Sequence, residues 1–370
     1  AGSVEKGVLF TYGTNYEALG RQTGKLAGRV LRGEKVKDVD AEYPKTLNVV
    51  VNHDMAKELG IDVSSISDEE SKASTQDNKP IAKKDKGVIK LKVNKSSKKG
   101  FSNVVLTAIS QGLLWAIMAI GVFITFRILD LADLTAEGAF PLGAATTTIM
   151  IIRGINPIFA TLGGFVAGML AGAVSGFMHT KMKIPALLTG IITLTGLYSV
   201  NLLVLGSANI SLSGHNTLVT MVMGLGLSKL SGVILLGLIF VSLVVFMLVV
   251  LLNTQVGLAL RATGDNLAMG EANGIKVDRM KILGYMISNG LIALSGALLA
   301  QNNGYADMNM GTGTIVNGLA AIILAEVIVK YLPLGKRLWS IVVGAVLYRL
   351  VLVMILAMNV DAQMLKLASA

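Results

Sequence analysis

Glu326 and Lys330 stand four residues apart in an apolar run, and Arg349 sits in the middle of the apolar run that follows. Side chains at that spacing share one helix face, so the carboxylate and the ammonium can pair along it. Ionisable groups inside apolar segments are costly and need partners. Structural neutralisation is the expected role of all three, with Arg349 either pairing with Glu326 or lining a polar path. A second group, Asp130, Asp133 and Glu137, lies in DLADLTAEGAFPLGAA. There Asp133 or Thr135 can cap a helix start by accepting backbone N–H bonds; a part in gating or solute passage is the sharper alternative. Thr189, Thr193, Thr195, Asn201, Ser288, Asn289, Gln301 and Asn302 could line a pathway or bond between helices. None of this amounts to catalysis. No Ser/His/Asp or paired-carboxylate arrangement is present, and the chain has no cysteine. Its three histidines, His53, His179 and His215, are far apart, so no metal site is expected. Gly335-Lys336-Arg337 fails the phosphate-loop pattern, because Lys330 stands where its first glycine belongs and Arg337 where Ser or Thr belongs. Catalytic residues, metals and nucleotide sites are therefore not expected on this chain.

These groups must be held by helices in a membrane. The chain is 53% hydrophobic over 370 residues, which argues for a polytopic membrane protein. Residues 1–100 carry 19 Lys+Arg and 14 Asp+Glu, leaving only 14 and 9 for the other 270. The net charge of +10 therefore sits largely in a linker and at membrane borders, and no nucleic-acid partner is implied. Spans are expected at about 103–127, 136–152, 157–178, 185–205, 231–252, 282–300, 314–330 and 338–358. His179, Lys181 and Lys183, the basic loop after the fifth span, and Lys330, Lys336 and Arg337 then fall on one side, which reads as cytoplasmic. Through the third span Gly164, Gly168, Gly172 and Gly176 recur every fourth residue. That spacing leaves one helix face without side chains and lets another helix approach closely.

The long polar interruption is Arg261–Lys281, RATGDNLAMGEANGIKVDRMK. A short amphipathic helix there, lying below the membrane, could insert into a groove on a soluble partner. The run R-A-T-G-D-N-x-x-M-x-x-x-N-G-I-x-V-D-R resembles the cytoplasmic coupling loop of ABC importer permeases of the branched-chain amino acid and ribose type. The resemblance extends over roughly residues 101–370, and Asp133-Leu134-Thr135 with Gly138 and Gly143 is similar to the D-L-S-x-G run of ribose-type members. It implies that Arg261, Gly264, Asp265, Asn266, Met269, Glu271, Asn273, Gly274 and Ile275 form the element that docks on a separate ATPase. Asp133, Thr135 and Gly138 are then the gating or helix-cap group.

Residues 1–66 read as a piece of an α/β domain. Val8–Tyr12 and Thr46–Val51 look like strands, with helices over Tyr16–Leu31 and from about Asp54 to Leu59. The runs YGTNYEALGRQTGKLAGRVLRGEKVKDVDAEYP and LNVVVNHDMAKELGID are similar to the C-terminal part of type I ABC substrate-binding proteins, most of all those of aromatic amino acid uptake. Residues 67–100 are a lysine- and serine-rich linker, of a composition that favours disorder, with a brief strand conceivable at Ile89–Val93. With no initiator Met, and an end in a polar-to-apolar transition at Asp361–Ala370, the chain reads as a piece of a longer polypeptide with a ninth span beyond it.

The fold expected is mainly α: a polytopic membrane domain over 101–370, preceded by a partial α/β lobe. The resemblance implies a multi-pass importer permease, its lobe outside and its coupling loop in the cytoplasm. Two permease copies would form the path, and ATP and Mg would act on the partner ATPase subunits. Aromatic or other hydrophobic amino acids are the leading cargo, followed by ribose-like sugars or nucleosides. A secondary transporter, or a membrane-anchored solute sensor, is the alternative of a different class.

Overall fold

The computed structural model describes residues 10–14, 46–51, 71–72, 97–224, 226–328 and 333–357. The chain divides into two units, Ala1–Val93 and Asn94–Ala370. In the first, β1 (Phe10–Thr14), β2 (Thr46–Val51) and β3 (Ser71–Lys72) form an antiparallel sheet in that order. β2 has the limits expected of its apolar run, and β1 covers residues 10–12 of the other and continues to Thr14, while Val8 and Leu9 lie outside the described residues. Phe10 stands opposite Val51 and Tyr12 opposite Val49 in the register of the ladder. The helices expected over Tyr16–Leu31 and Asp54–Leu59, most of the linker with Ile89–Val93, Lys330 and the approach to a ninth span lie outside the described residues.

In the second unit every expected span is a helix. They are α1 (Ser97–Phe123, continued by a π-helical turn, Ile124–Ile128), α2 (Thr135–Ile152), α3 (Pro157–Thr180) and α4 (Ala186–Leu205). After the short α5 (Leu218–Met223) come α6 (Lys229–Asn253), then α7 (Gln255–Asp265) and α8 (Leu267–Ala272), which stand where one loop was expected. The last three are α9 (Val277–Asn303), α10 (Thr314–Ile328) and α11 (Leu334–Ala357). Local chemistry sets several ends. α3 starts at Pro157 behind Asn156, whose side chain accepts from the Ile158 N–H. α4 and α9 end at Gly206 (φ 70°) and Gly304 (φ 76°), left-handed positions that glycine takes without steric cost.

Among the described residues seven helices are long and apolar enough to cross a membrane, and α2 is not one of them. The expected second span carries Glu137, Pro141 and three successive threonines, Thr146–Thr148. Thirteen of its 18 residues are buried, so α2 is wrapped by protein, against α3, α4 and α9, and has little need of an apolar outer surface. α9 and α1 share the interior: 78% of the apolar stretch in each is buried, against 28% in α4. The peripheral helices point Phe159, Leu170, Leu203 and Phe246 outward, as lipid-facing surfaces do. Beyond α4 and α9, β4 (Asn209–Ser211) and β5 (Tyr305–Asp307) pair antiparallel, at the end of α9 remote from α8.

Candidate functional site

The α7–α8 element is shaped by its own sequence. Asn266 accepts from the Met269 N–H and so caps α8. At the other end the Gly274 N–H donates to the Glu271 carbonyl (2.9 Å) and the Ile275 N–H to the Gly270 carbonyl (3.0 Å), with Gly274 at φ 79°. This is a Schellman closure, which needs a left-handed residue at that position. The D-N-x-x-M-x-x-x-N-G-I run therefore spells a one-and-a-half-turn helix with both ends closed, and Asn273 adds a side-chain bond to the Met269 carbonyl (2.8 Å). The inner face rests on the membrane helices: Leu260, Thr263, Gly270 and Val277 are buried, and Ile275 half-buried. A Cβ on Gly264 would overlap the Ile128 carbonyl at the end of the π-helical turn, so only glycine fits there. The outer face exposes Val256, Leu258, Leu267 and Met269 among Arg261, Asp265 and Glu271. Met269 is 63% exposed, a large apolar side chain on a polar connector with nothing of its own unit to cover it.

The basic clusters gather at this end. Lys181 meets Asp278 at 3.0 Å, and Arg127, next to Ile128, meets Glu326 together with Arg337. Glu326 thus has partners other than the expected ones. Its Oε2 pairs with Arg127 and its Oε1 with Arg337 at 2.9 Å, closing α1, α10 and α11 on one another, while Lys330 lies outside the described residues. Arg127 ends one expected span and Arg337 precedes another on the same side, which is the signal that could have found them.

Asp133 is buried beside the start of α2. Its Oδ1 accepts from the Thr135 N–H (2.9 Å) and its Oδ2 from the Asn289 amide (2.7 Å) on α9. The carboxylate thus does accept a backbone N–H at the helix start, although the capping position itself falls on Leu134, and Thr135 bonds Ser175 of α3 at 2.8 Å. Burial pushes the Asp133 carboxyl up from the ordinary range, opposed by its bonds to Thr135 and Asn289. Gly138 lies against Leu197 of α4, and its carbonyl accepts from Asn201. Ser288 bonds the Gly121 carbonyl (2.7 Å) and Gln301 bonds Thr161 (2.8 Å). Thr193 and Thr195 bond carbonyls of their own helix. The stripe of Gly164, Gly168, Gly172 and Gly176 runs against α9 and α2. Cβ atoms there would meet Thr147 at Gly164, Asn289 and Ala293 at Gly168, Tyr285 at Gly172 and Ile282 at Gly176.

Arg349 is not paired with Glu326. Its Nε donates to Gln111 Oε1 (3.1 Å), and its guanidinium lies over the Trp115 ring, 4.8 Å from the centroid. Trp115 in turn stacks on Phe140. These residues, with Asn303 and Tyr305, line a cleft of about 400 Å³. It was not visible in the sequence, because α1, α2, α9 and α11 assemble it from positions more than 200 apart.

Residues 104–367 match the family described as the permease component of branched-chain amino acid transport systems. Residues 1–74 match the ABC transporter substrate binding protein family. The chain is 38% identical over 266 residues to a tyrosine transport system permease protein of Clostridioides difficile, covering 72% of this chain and 88% of that protein. It is 34% identical to an uncharacterized protein of Rickettsia prowazekii, covering 72% of this chain and 93% of the other. The autoinducer 2 import system permease protein LsrC of Salmonella typhi is 27% identical over 58% of this chain and 59% of its own length.

Proposed function

The chain belongs to the permease component family of branched-chain amino acid transport systems, and from there we propose that it carries a hydrophobic or aromatic amino acid inward through an ABC importer. A permease is a transport component embedded in the membrane and not an enzyme. In this reading ATP and Mg are bound by a partner ATPase, two permease copies enclose the path, and the lobe matched by the binding-protein family delivers solute from outside. The observation that carries it is α8, a short helix capped at both ends that holds Leu267 and Met269 out of its own unit, among basic clusters expected to face the cytoplasm. The tyrosine permease relative supports an amino acid cargo. A sugar-like cargo is the second reading, favoured by the autoinducer 2 relative.

Glu271 stands exposed on α8, so Glu271→Arg should spare insertion and strike docking. Uptake of radiolabelled tyrosine should fall by about tenfold or more, the scale of losing an interface hot spot, while the amount in the membrane stays normal. Undiminished uptake in that variant would remove α8 from the coupling role. A panel of tyrosine, tryptophan, leucine and ribose separates the two cargo readings.

Orientation has its own check, made simple by a chain without cysteine. With Ser64→Cys or Asn273→Cys introduced singly, a membrane-impermeant maleimide applied to intact cells should label position 64 and leave position 273 untouched. The reverse pattern would put α8 outside, where it could meet no cytoplasmic ATPase.

A further inference from the structure

The cleft at Arg349 holds a cation that no described residue of the unit neutralises. Among the described residues no carboxylate pairs with Arg349, and its bond to Gln111 uses Nε alone. A guanidinium among apolar helices with no counter-charge is costly to keep, which makes it a functional group by default. Close by, the Trp115 indole N–H is buried without a partner, and a buried polar atom left unpaired calls for an explanation. Asn303 and Tyr305 line the same cleft with further polar groups, beside an apolar wall of Phe140, Leu299 and Met310. Both lie at the end of α9 remote from α8, so the cleft stands toward the side from which an importer takes its solute.

We propose that this cleft is a solute-binding station of the permease, in which Arg349 receives the carboxylate of a small organic acid and the Trp115–Phe140 stack receives its apolar or aromatic body. The proposal deepens the amino acid reading and rests on it. The chemistry selects the class. The fork of a guanidinium matches a carboxylate with two parallel N–H bonds, and the Nη groups are the ones not engaged by Gln111. A volume of about 400 Å³ holds one amino acid of the larger kind and lies in the range of small-molecule sites. A neutral polyol would leave the guanidinium as it stands, without a counter-charge among the described residues.

The chain has two tryptophans, so Trp339→Phe leaves Trp115 as its one indole and a reporter inside the cleft. In nanodiscs of zwitterionic lipid, with no ATPase present, the probes are L-phenylalanine, 3-phenylpropionate, phenethylamine and ribose. The first two carry a carboxylate and should quench or shift Trp115 emission saturably; the amine and the sugar should not. Arg349→Gln should weaken the response to both acids by about tenfold or more, the scale of one charge-assisted hydrogen bond, and Arg349→Lys should recover part of it. Equal responses to L-phenylalanine and phenethylamine in the Trp339→Phe protein would overturn the proposal without reliance on any Arg349 variant. So would an undiminished response in a folded Arg349→Gln. Quenching by the acids with no amino acid uptake in cells would sink the import reading and leave the site standing. Uptake without carboxylate-dependent quenching would do the opposite.

Discussion

Alanine at Gly172 is expected to deplete folded protein from the membrane fraction, while alanine at Gly196 leaves its amount unchanged. The added methyl at Gly172 would overlap the Tyr285 carbonyl and come within 2.9 Å of the Met286 Cα, and neither obstacle is a side chain that can swing away. Relief requires α3 to draw back from α9, the most extensive helix pair among the described residues. Such a retreat would also loosen Gly164, Gly168 and Gly176, which lie on the same seam. Overpacking of well-packed sites costs about 1–3 kcal/mol, and an obstacle made of backbone belongs at the upper end or above it. Gly196 on α4 has open space around it, so the same substitution there meets nothing. Monodispersity on gel filtration and the thermal midpoint in detergent decide the matter. A Gly172→Ala protein that melts with the parent would show that the seam is looser than its geometry.

The second large effect is expected at Asp133. Asp133→Ala removes the acceptor of both the Thr135 N–H and the Asn289 amide at a buried position. Two donors stranded in the interior cost about 3 kcal/mol together, and α2 loses its tie to α9. Asp133→Asn should cost far less, about 1 kcal/mol. Its amide oxygen still accepts from Thr135, and after a turn of the Asn289 amide its NH2 donates to the Asn289 Oδ1, unpaired at present, at the loss of the bond from Asn289 to the Tyr285 carbonyl. Thermal unfolding of both variants is the measurement, with alanine well below asparagine as the expected order. Equal midpoints would mean that the bonds at Asp133 carry no net stability.

What was legible in the sequence was whatever depends on neighbours along the chain. Apolar runs of membrane length marked the helices, because each must satisfy its backbone within itself. The four-residue glycine spacing marked a face open to close approach, and the run from Asp265 to Ile275 marked a connector with a helix in it. Illegible was whatever depends on which helices meet. The Gly172 stripe did not name α9 as its partner. Nor did the sequence show that Glu326 meets Arg127, distant by 199 positions, and Arg337; Lys330, its expected partner, lies outside the described residues. Arg349 found Gln111 across 238 positions. The interior place of α2 was hidden for the same reason: a helix wrapped by protein can carry threonines and a glutamate that a lipid-facing helix would not. The lobe over 1–66 was recognised by its wording more than by its strands, since two short apolar runs do not define a sheet.

α9 begins three residues after Gly274 and runs without a break from Val277 to Asn303, where it reaches the wall of the cleft. Twenty-seven residues at 1.5 Å each make a rod about 40 Å long, gripped along its inner half by the glycine faces of α3. Held that way, α9 would turn as one piece sooner than bend. A tilt of about 5° at the end beside α8 sweeps the far end through about 3.5 Å, by simple proportion of arc to length. That is close to the thickness of an aromatic ring, so in the proposed import cycle a slight push on the short helix would be geometrically enough to open or shut the space beside Trp115.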